Sequence, residues 1–99
     1  MYKKSKNKLT IIINTSQSSL INVTPKKFSD SRLIGKELLK GNAIVVDINE
    51  MPSVESIRFI DFVTGLLFVT NGSFKKVAKK IYLLAPTSEI LDKFSNQFQ

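Results

Sequence analysis

The chain has 99 residues, 42% of them hydrophobic and 23% charged, which is the balance of one globular domain rather than of a disordered or fibrous chain. Fifteen Lys and Arg against eight Asp and Glu give a formal charge of +7, so nucleic acid, lipid headgroups or an acidic protein segment are the partners to consider. The absence of Cys and His removes disulfides, thiolate and imidazole metal sites, and Ser-His or Cys-His nucleophile pairs, which argues against an enzyme, a bound metal or a cofactor.

No apolar run approaches the ~20 residues needed to span a bilayer. Arg32 and Arg58 are the two arginines, and base edges are commonly read by the bidentate Arg fork, so sequence-specific DNA recognition is disfavoured.

In chain order, "MYKKSKNK" is basic and lacks periodicity, "KLTIIIN" has the composition of a strand, and "TSQSS" is a polar break. Residues 1–19 therefore read either as a basic N-terminal extension or as an extra strand. The folded core is expected over residues 20–86, and residues 87–99 form a tail with a short helix. "LINV", residues 20–23, is a first core strand stopped by Pro25. Ser29 or Asp30 can cap a helix that runs to Leu39 or Lys40, buries Leu33, Ile34 and Leu38, and ends at Gly41 in the left-handed conformation. "AIVVDI", residues 43–48, is a strand covered on both faces or central in the sheet. The resulting β-α-β unit implies parallel strands and a right-handed crossover.

A second helix starts at Ser53 after Pro52, places Glu55 in its first turn, and ends before Gly65. Val54, Ile57, Phe59, Ile60, Phe62 and Val63 occupy well over half its circumference at 100° per residue, whereas a helix on one sheet needs a single apolar stripe. A second subunit is the expected cover for the surplus face. "LLFV", residues 66–69, then reads as a strand.

Residues 71–86, "NGSFKKVAKKIYLLAP", carry two opposed signals. Phe74, Val77, Ala78 and Ile81 have helical spacing with lysines between them, as in a basic amphipathic helix on a membrane or nucleic acid. Asn71-Gly72 is a two-residue hairpin signal, which calls for a returning strand and favours a sheet. Beyond Pro86, Ile90, Leu91, Phe94 and Phe98 mark the C-terminal helix, capped by Ser88.

The segments "INVTPKKFSDSRLIGKELLKGNAIVVDI", "RFIDFVTGLLFVTNG" and "IYLLAP" together resemble the SepF family of bacterial cell-division proteins. The most specific part is Arg58, Asp61, Phe62 and Gly65, followed by Phe68-Val69 and Gly72. The resemblance implies an α/β fold, a two-layer sandwich with two helices packed on a small mixed β-sheet, in the order β-α-β-α-β-β-β. It also implies homodimers and higher assemblies, binding of the C-terminal tail of the tubulin-like GTPase FtsZ, a link between the division ring and the membrane, and no catalysis. Two departures stand out. The residues before Leu20 lack the helical moment of the family's amphipathic anchor, so direct membrane attachment is not expected from them. Ala78 stands where the family tends to carry glycine, so that corner is strained or its turn is shifted.

On this reading Phe59, Phe62, Phe68, Lys75 and Lys76 are the candidate groove for the tail, in which apolar residues bind and lysines speed association. Ile57, Ile60, Val63 and Gly72 are candidates for dimer or assembly contacts, and Arg58, Asp61 and Gly65 for fixing the fold. The plainer alternatives are core packing for the phenylalanines, a surface ion pair for Arg58 and Asp61, backbone requirements for the glycines, and edge protection for the lysines. The expected function is a non-enzymatic division adaptor, cytoplasmic or in an organelle stroma at the division site. The rival is a basic module that binds nucleic acid or a membrane surface.

Overall fold

A computed structural model, which describes residues 10–14 and 18–98, places five strands in one mixed sheet. They are β1 (Thr10–Asn14), β2 (Ser19–Val23), β3 (Ala43–Asp47), β4 (Ser73–Ala78) and β5 (Ile81–Ala85), in the spatial order β1-β2-β3-β5-β4. Three helices accompany them: α1 (Ser31–Leu39), α2 (Ser53–Thr70) and α3 (Ser88–Ser95). β2 and β3 are parallel and joined through α1, the β-α-β unit expected from the sequence. β1 pairs antiparallel with β2 on one edge, and β4 and β5 form an antiparallel hairpin whose β5 strand pairs with β3.

Side-chain alternation sorts the core into two layers. Ile21, Val23, Ile44, Val46 and Leu84 point to one face and pack with Leu33, Ile34 and Leu38 of α1 and Phe59, Val63 and Leu67 of α2. Leu20, Ala43, Val45, Leu83 and Ala85 point to the other and pack with Phe94 of α3, where Ile90 and Leu91 also rest. The sheet with two helices on one face is as expected, and α3 adds a cover on the opposite face. β3 is the central strand, with Ala43, Ile44, Val45 and Val46 all buried, which explains why its sequence shows no alternation.

Local chemistry sets the helix ends. The Asp30 carboxylate accepts from the Lys26 and Lys27 amides at 2.9 and 3.2 Å, so it fixes a short 3-10 turn, Phe28–Asp30, ahead of α1 rather than capping α1 itself. Gly41 has φ +92°, the left-handed geometry anticipated for it. Next to it the Asn42 side chain accepts from the Ser19 amide at 3.0 Å and donates to the buried Glu37 carboxylate at 2.9 Å. One amide thus joins the start of β2 to the end of α1. In α3 the Thr87 hydroxyl accepts from the Ile90 amide at 3.1 Å, so Thr87, not Ser88, is the cap.

The main correction concerns residues 65–72. α2 does not stop at Gly65 but continues to Thr70, 18 residues in all, so residues 66–69 are helix and not strand. Gly inside a helix costs only about 1 kcal/mol relative to Ala, and continuing the helix buries Leu67. Asn71 and Gly72 end the helix instead of turning a hairpin. Asn71 takes the left-handed conformation at φ 61°, and the Gly72 amide donates to the Leu67 carbonyl at 2.8 Å, the 6→1 bond of a Schellman ending.

The sheet reading of residues 71–86 holds, with the hairpin placed later. Ala78 and Ile81 face each other across Lys79-Lys80, and the positive φ, 60°, falls on Lys80. A bulge between Lys76 and Ala78 shifts the register on the way into this turn. The corner is therefore displaced by two residues from Ala78, and Ala78 itself needs no positive φ.

Candidate partner-binding surface

The physical peculiarity of the molecule is the outer side of α2. Phe59, Val63 and Leu67 recur every four residues along its inner stripe and are completely buried or nearly so. Directly outward lie Val54, Ile57 and Phe68, and toward the α1 flank lie Phe62 and Val69. Phe68 is 84% exposed, Val69 77%, Val54 71% and Ile57 63%, values normal for lysine or glutamate on a helix of this kind. Ile57 and Phe68 are 11 positions apart, three helical turns, so they share one line with Asp61 and Thr64.

Gly65 sits on this outer side, and a Cβ built on it meets nothing within 4 Å. Among the described residues, therefore, no contact requires a glycine here. Gly72 is the opposite case: a Cβ there would lie 2.6 Å from Leu67 Cδ2 and 2.8 Å from the Ala85 carbonyl oxygen. Its hydrogen side lets the chain leave α2 and enter β4 directly against β5, so its evident role is internal packing.

Arg58 and Asp61 do not form the ion pair that their spacing allows; among the described residues the ion pairs are Lys26–Glu50 and Lys40–Glu37. The Arg58 guanidinium lies over the Phe28 ring, 4.6 Å from its centroid, and Phe28 meets Phe62 edge-on at 5.7 Å. Glu55 completes the arrangement by accepting from the Phe28 amide at 2.8 Å. Three residues of α2 thus hold the turn before α1, and a cation over an aromatic face contributes about 0.5–1 kcal/mol at an exposed site.

Other expected site residues are dispersed. Phe59 and Val63, read as groove and dimer residues, are in the core and offer no surface to a partner. Phe62 and Phe68 are exposed but on different sides of α2, roughly 120° apart at 100° per residue. Ile60 is half-buried against the core. Lys75 and Lys76 are exposed on β4, the edge strand beyond β5.

A concavity opens between α1 and the last turns of α2. It encloses about 220 Å³ and is lined by Gly35, Leu38, Leu39, Leu66, Thr70 and Pro86. Small-molecule sites usually measure about 300–1,000 Å³, so this space suits one or two apolar side chains of a peptide better than a cofactor. Gly35 shapes it, since a Cβ there would already touch Leu66 at 3.6 Å. None of these lining residues is among the site residues expected from the sequence, which reads Leu38 only as part of the core. Leu66 was hidden by its assignment to a strand, and the usable signal was Leu39, an apolar residue on the outer side of α1. Among the described residues no group of three metal-ligating side chains occurs, and no helix is long and apolar enough to cross a membrane.

Residues 21–90 match the family model described as Cell division protein SepF. Over 69 residues, 70% of the chain, the sequence is 38% identical to the Cell division protein SepF of Nocardia farcinica, of which this match covers 25%. The same identity over the same length relates it to the proteins of that name from Mycobacterium leprae and Mycobacterium tuberculosis, with 33% and 32% of those chains covered. The chain therefore matches between a quarter and a third of the length of these relatives.

Proposed function

From the premise that the chain belongs to the SepF family of cell-division proteins, we propose that it is a non-catalytic adaptor that pairs through α2 and binds the C-terminal tail of FtsZ. In this role it supports assembly of the division ring and septum from the cytoplasm or an organelle stroma. The observation that carries the reading is the uncovered apolar surface of α2. Apolar area of this extent on a small domain marks a protein contact, and a helix face that is its own best complement favours a symmetric pair.

Ile57 and Phe68 sit at the centre of the proposed pairing face, and Gly65 lets the two helices approach closely. This moves Phe68 from the tail groove to the dimer contact and leaves Val63 and Gly72 to the fold. The α1–α2 concavity is the seat for an apolar residue of the tail, with Phe62 one turn before Leu66 on α2 and the exposed Arg32 one turn before Gly35 on α1. Lys75 and Lys76 attract acidic residues of the tail and raise the rate of association more than its affinity.

The deciding measurement is a calorimetric titration of the folded protein with the FtsZ tail peptide. Saturable binding in the micromolar range, weakened by Leu66→Glu, is the expected outcome. Absence of saturable binding by the folded dimer at those concentrations would sink the proposal.

A further inference from the structure

The sheet ends in β4 on one side and β1 on the other, and the two ends differ in chemistry. An edge strand presents unpaired N–H and C=O groups, and soluble proteins commonly blunt it with charge, proline or a bulge. β4 follows that rule, with exposed Lys75 and Lys76, a bulge after Lys76, and exposed Lys79 and Lys80 in its turn. β1 reads Thr-Ile-Ile-Ile-Asn: it holds no charge and no proline, and the register shift between Ile11 and Ile13 is its one irregularity. It pairs antiparallel with β2, and among the described residues no strand lies beyond it. β1 also precedes residues 21–90, so the edge it forms lies outside the region that matches the family.

We propose that β1 is a self-association edge, to which β1 of a second copy adds antiparallel about a two-fold axis, joining two five-stranded sheets into one. Charge selects both the occupant and its direction. In a parallel approach Lys3, Lys4, Lys6 and Lys8, which precede β1, run beside the same lysines of the other copy, and like charges directly opposite are destabilising. In the antiparallel approach they run beside the residues that follow β1, and residues 15–25 contain no charge. Thr10 then falls opposite Asn14, and Ile12 opposite Ile12, and β-branched pairs are favoured in a sheet.

Other occupants fit less well. β4 of a second copy would set Lys75 and Lys76 against a strand with no carboxylate, and a strand of either charge finds no counter-charge within β1. A neutral β-branched strand meets neither cost, and the chain itself carries one. A ladder of five residues is a weak contact by itself, so it forms at high protein concentration or between chains held near each other by other means. It uses the rim of the sheet, away from both faces, and does not rest on the proposed α2 pairing.

The chain contains no cysteine, so Thr10→Cys carries a single nitroxide on the 99-residue protein. Spin-spin distances are read at high micromolar concentration, with Phe68 intact and with Phe68→Ala, which removes the proposed α2 contact. Positions 10 of two antiparallel copies lie four residues apart along the paired strands, so at about 3.4 Å per residue and with the label arms added an interchain distance of about 15–25 Å is expected in both proteins. Ile12→Lys, which puts a charge in the middle of the edge, abolishes that distance, whereas Ile12→Thr, neutral and β-branched, keeps it. No interchain distance in that range, one that survives Ile12→Lys, or one that Ile12→Thr also removes would overturn the proposal. So would a short distance seen only with Phe68 intact, which assigns the contact to α2, or a labelled strand that partitions into phosphatidylglycerol vesicles without pairing.

Discussion

Replacing Phe68 by alanine tests whether α2 is a pairing face. The ring is 84% exposed in the single chain, and complete burial of a Phe side chain is worth about 1.5–3 kcal/mol. Sheltering the exposed share recovers roughly 1.3–2.5 kcal/mol per copy, and two-fold symmetry doubles this to about 2.5–5 kcal/mol per dimer. At 1.4 kcal/mol per decade, Phe68→Ala weakens the dimer between about 60-fold and about 4,000-fold. Sedimentation equilibrium over a concentration series measures this directly. Because the ring is nearly free in the monomer, the stability of the separated chain shifts by no more than about 0.5 kcal/mol in urea. Phe59→Ala, at 0% exposure, costs about 3–5 kcal/mol of folding in the same assay and serves as the contrasting control. A Phe68→Ala protein with an unchanged dimer constant, or a parent chain that stays monomeric at high micromolar concentration, refutes the reasoning.

Gly65→Ala stabilises the isolated chain by about 0.5–1 kcal/mol through helix propensity, yet weakens pairing if the helices meet at that position; urea denaturation and sedimentation separate the two effects. Gly72→Ala has no such gain and lowers stability by about 1–3 kcal/mol, because the new Cβ meets Leu67 and the backbone of Ala85. Lys80→Gly raises stability by up to about 1 kcal/mol in thermal unfolding, since glycine takes the φ of 60° without steric cost. Asn42→Leu removes the side-chain acceptor of the Ser19 amide and one of the donors to Glu37, which keeps Lys40, and lowers stability by about 1–3 kcal/mol by the same measurement.

The β-α-β unit and the burial of β3 were readable because residues 20–48 carry local signals that agree: Pro25, Gly41 and an unbroken β-branched run. The length of α2 was not, and the reason is specific. Asn71-Gly72 serves equally well as a hairpin turn and as a left-handed helix ending, and the apolar residues 66–69 suit either a strand or a buried helix turn. What decides is Leu67 reaching the core and Leu66 reaching Gly35, contacts between residues far apart in sequence. The surplus apolar surface of α2 was visible in composition, but its assignment to faces was not. With the helix ended at Gly65, Phe59, Phe62 and Phe68 could not be placed on one cylinder, so a core residue and two residues of different sides were grouped together. Arg58 was paired with Asp61 by spacing, whereas Phe28, 30 positions earlier, supplies the ring that the guanidinium covers.

The helix α3 closes one face of the sheet with Phe94, Ile90 and Leu91. Stacking sheet on sheet would first require this helix to be displaced from Leu20, Val45 and Leu83. A subunit with two adhesive faces grows into a filament, whereas one with a single adhesive face stops after the first encounter. On the α2 pairing proposed above, α3 leaves that face of the sheet closed to a second sheet-on-sheet contact, so association through α2 stops at two copies.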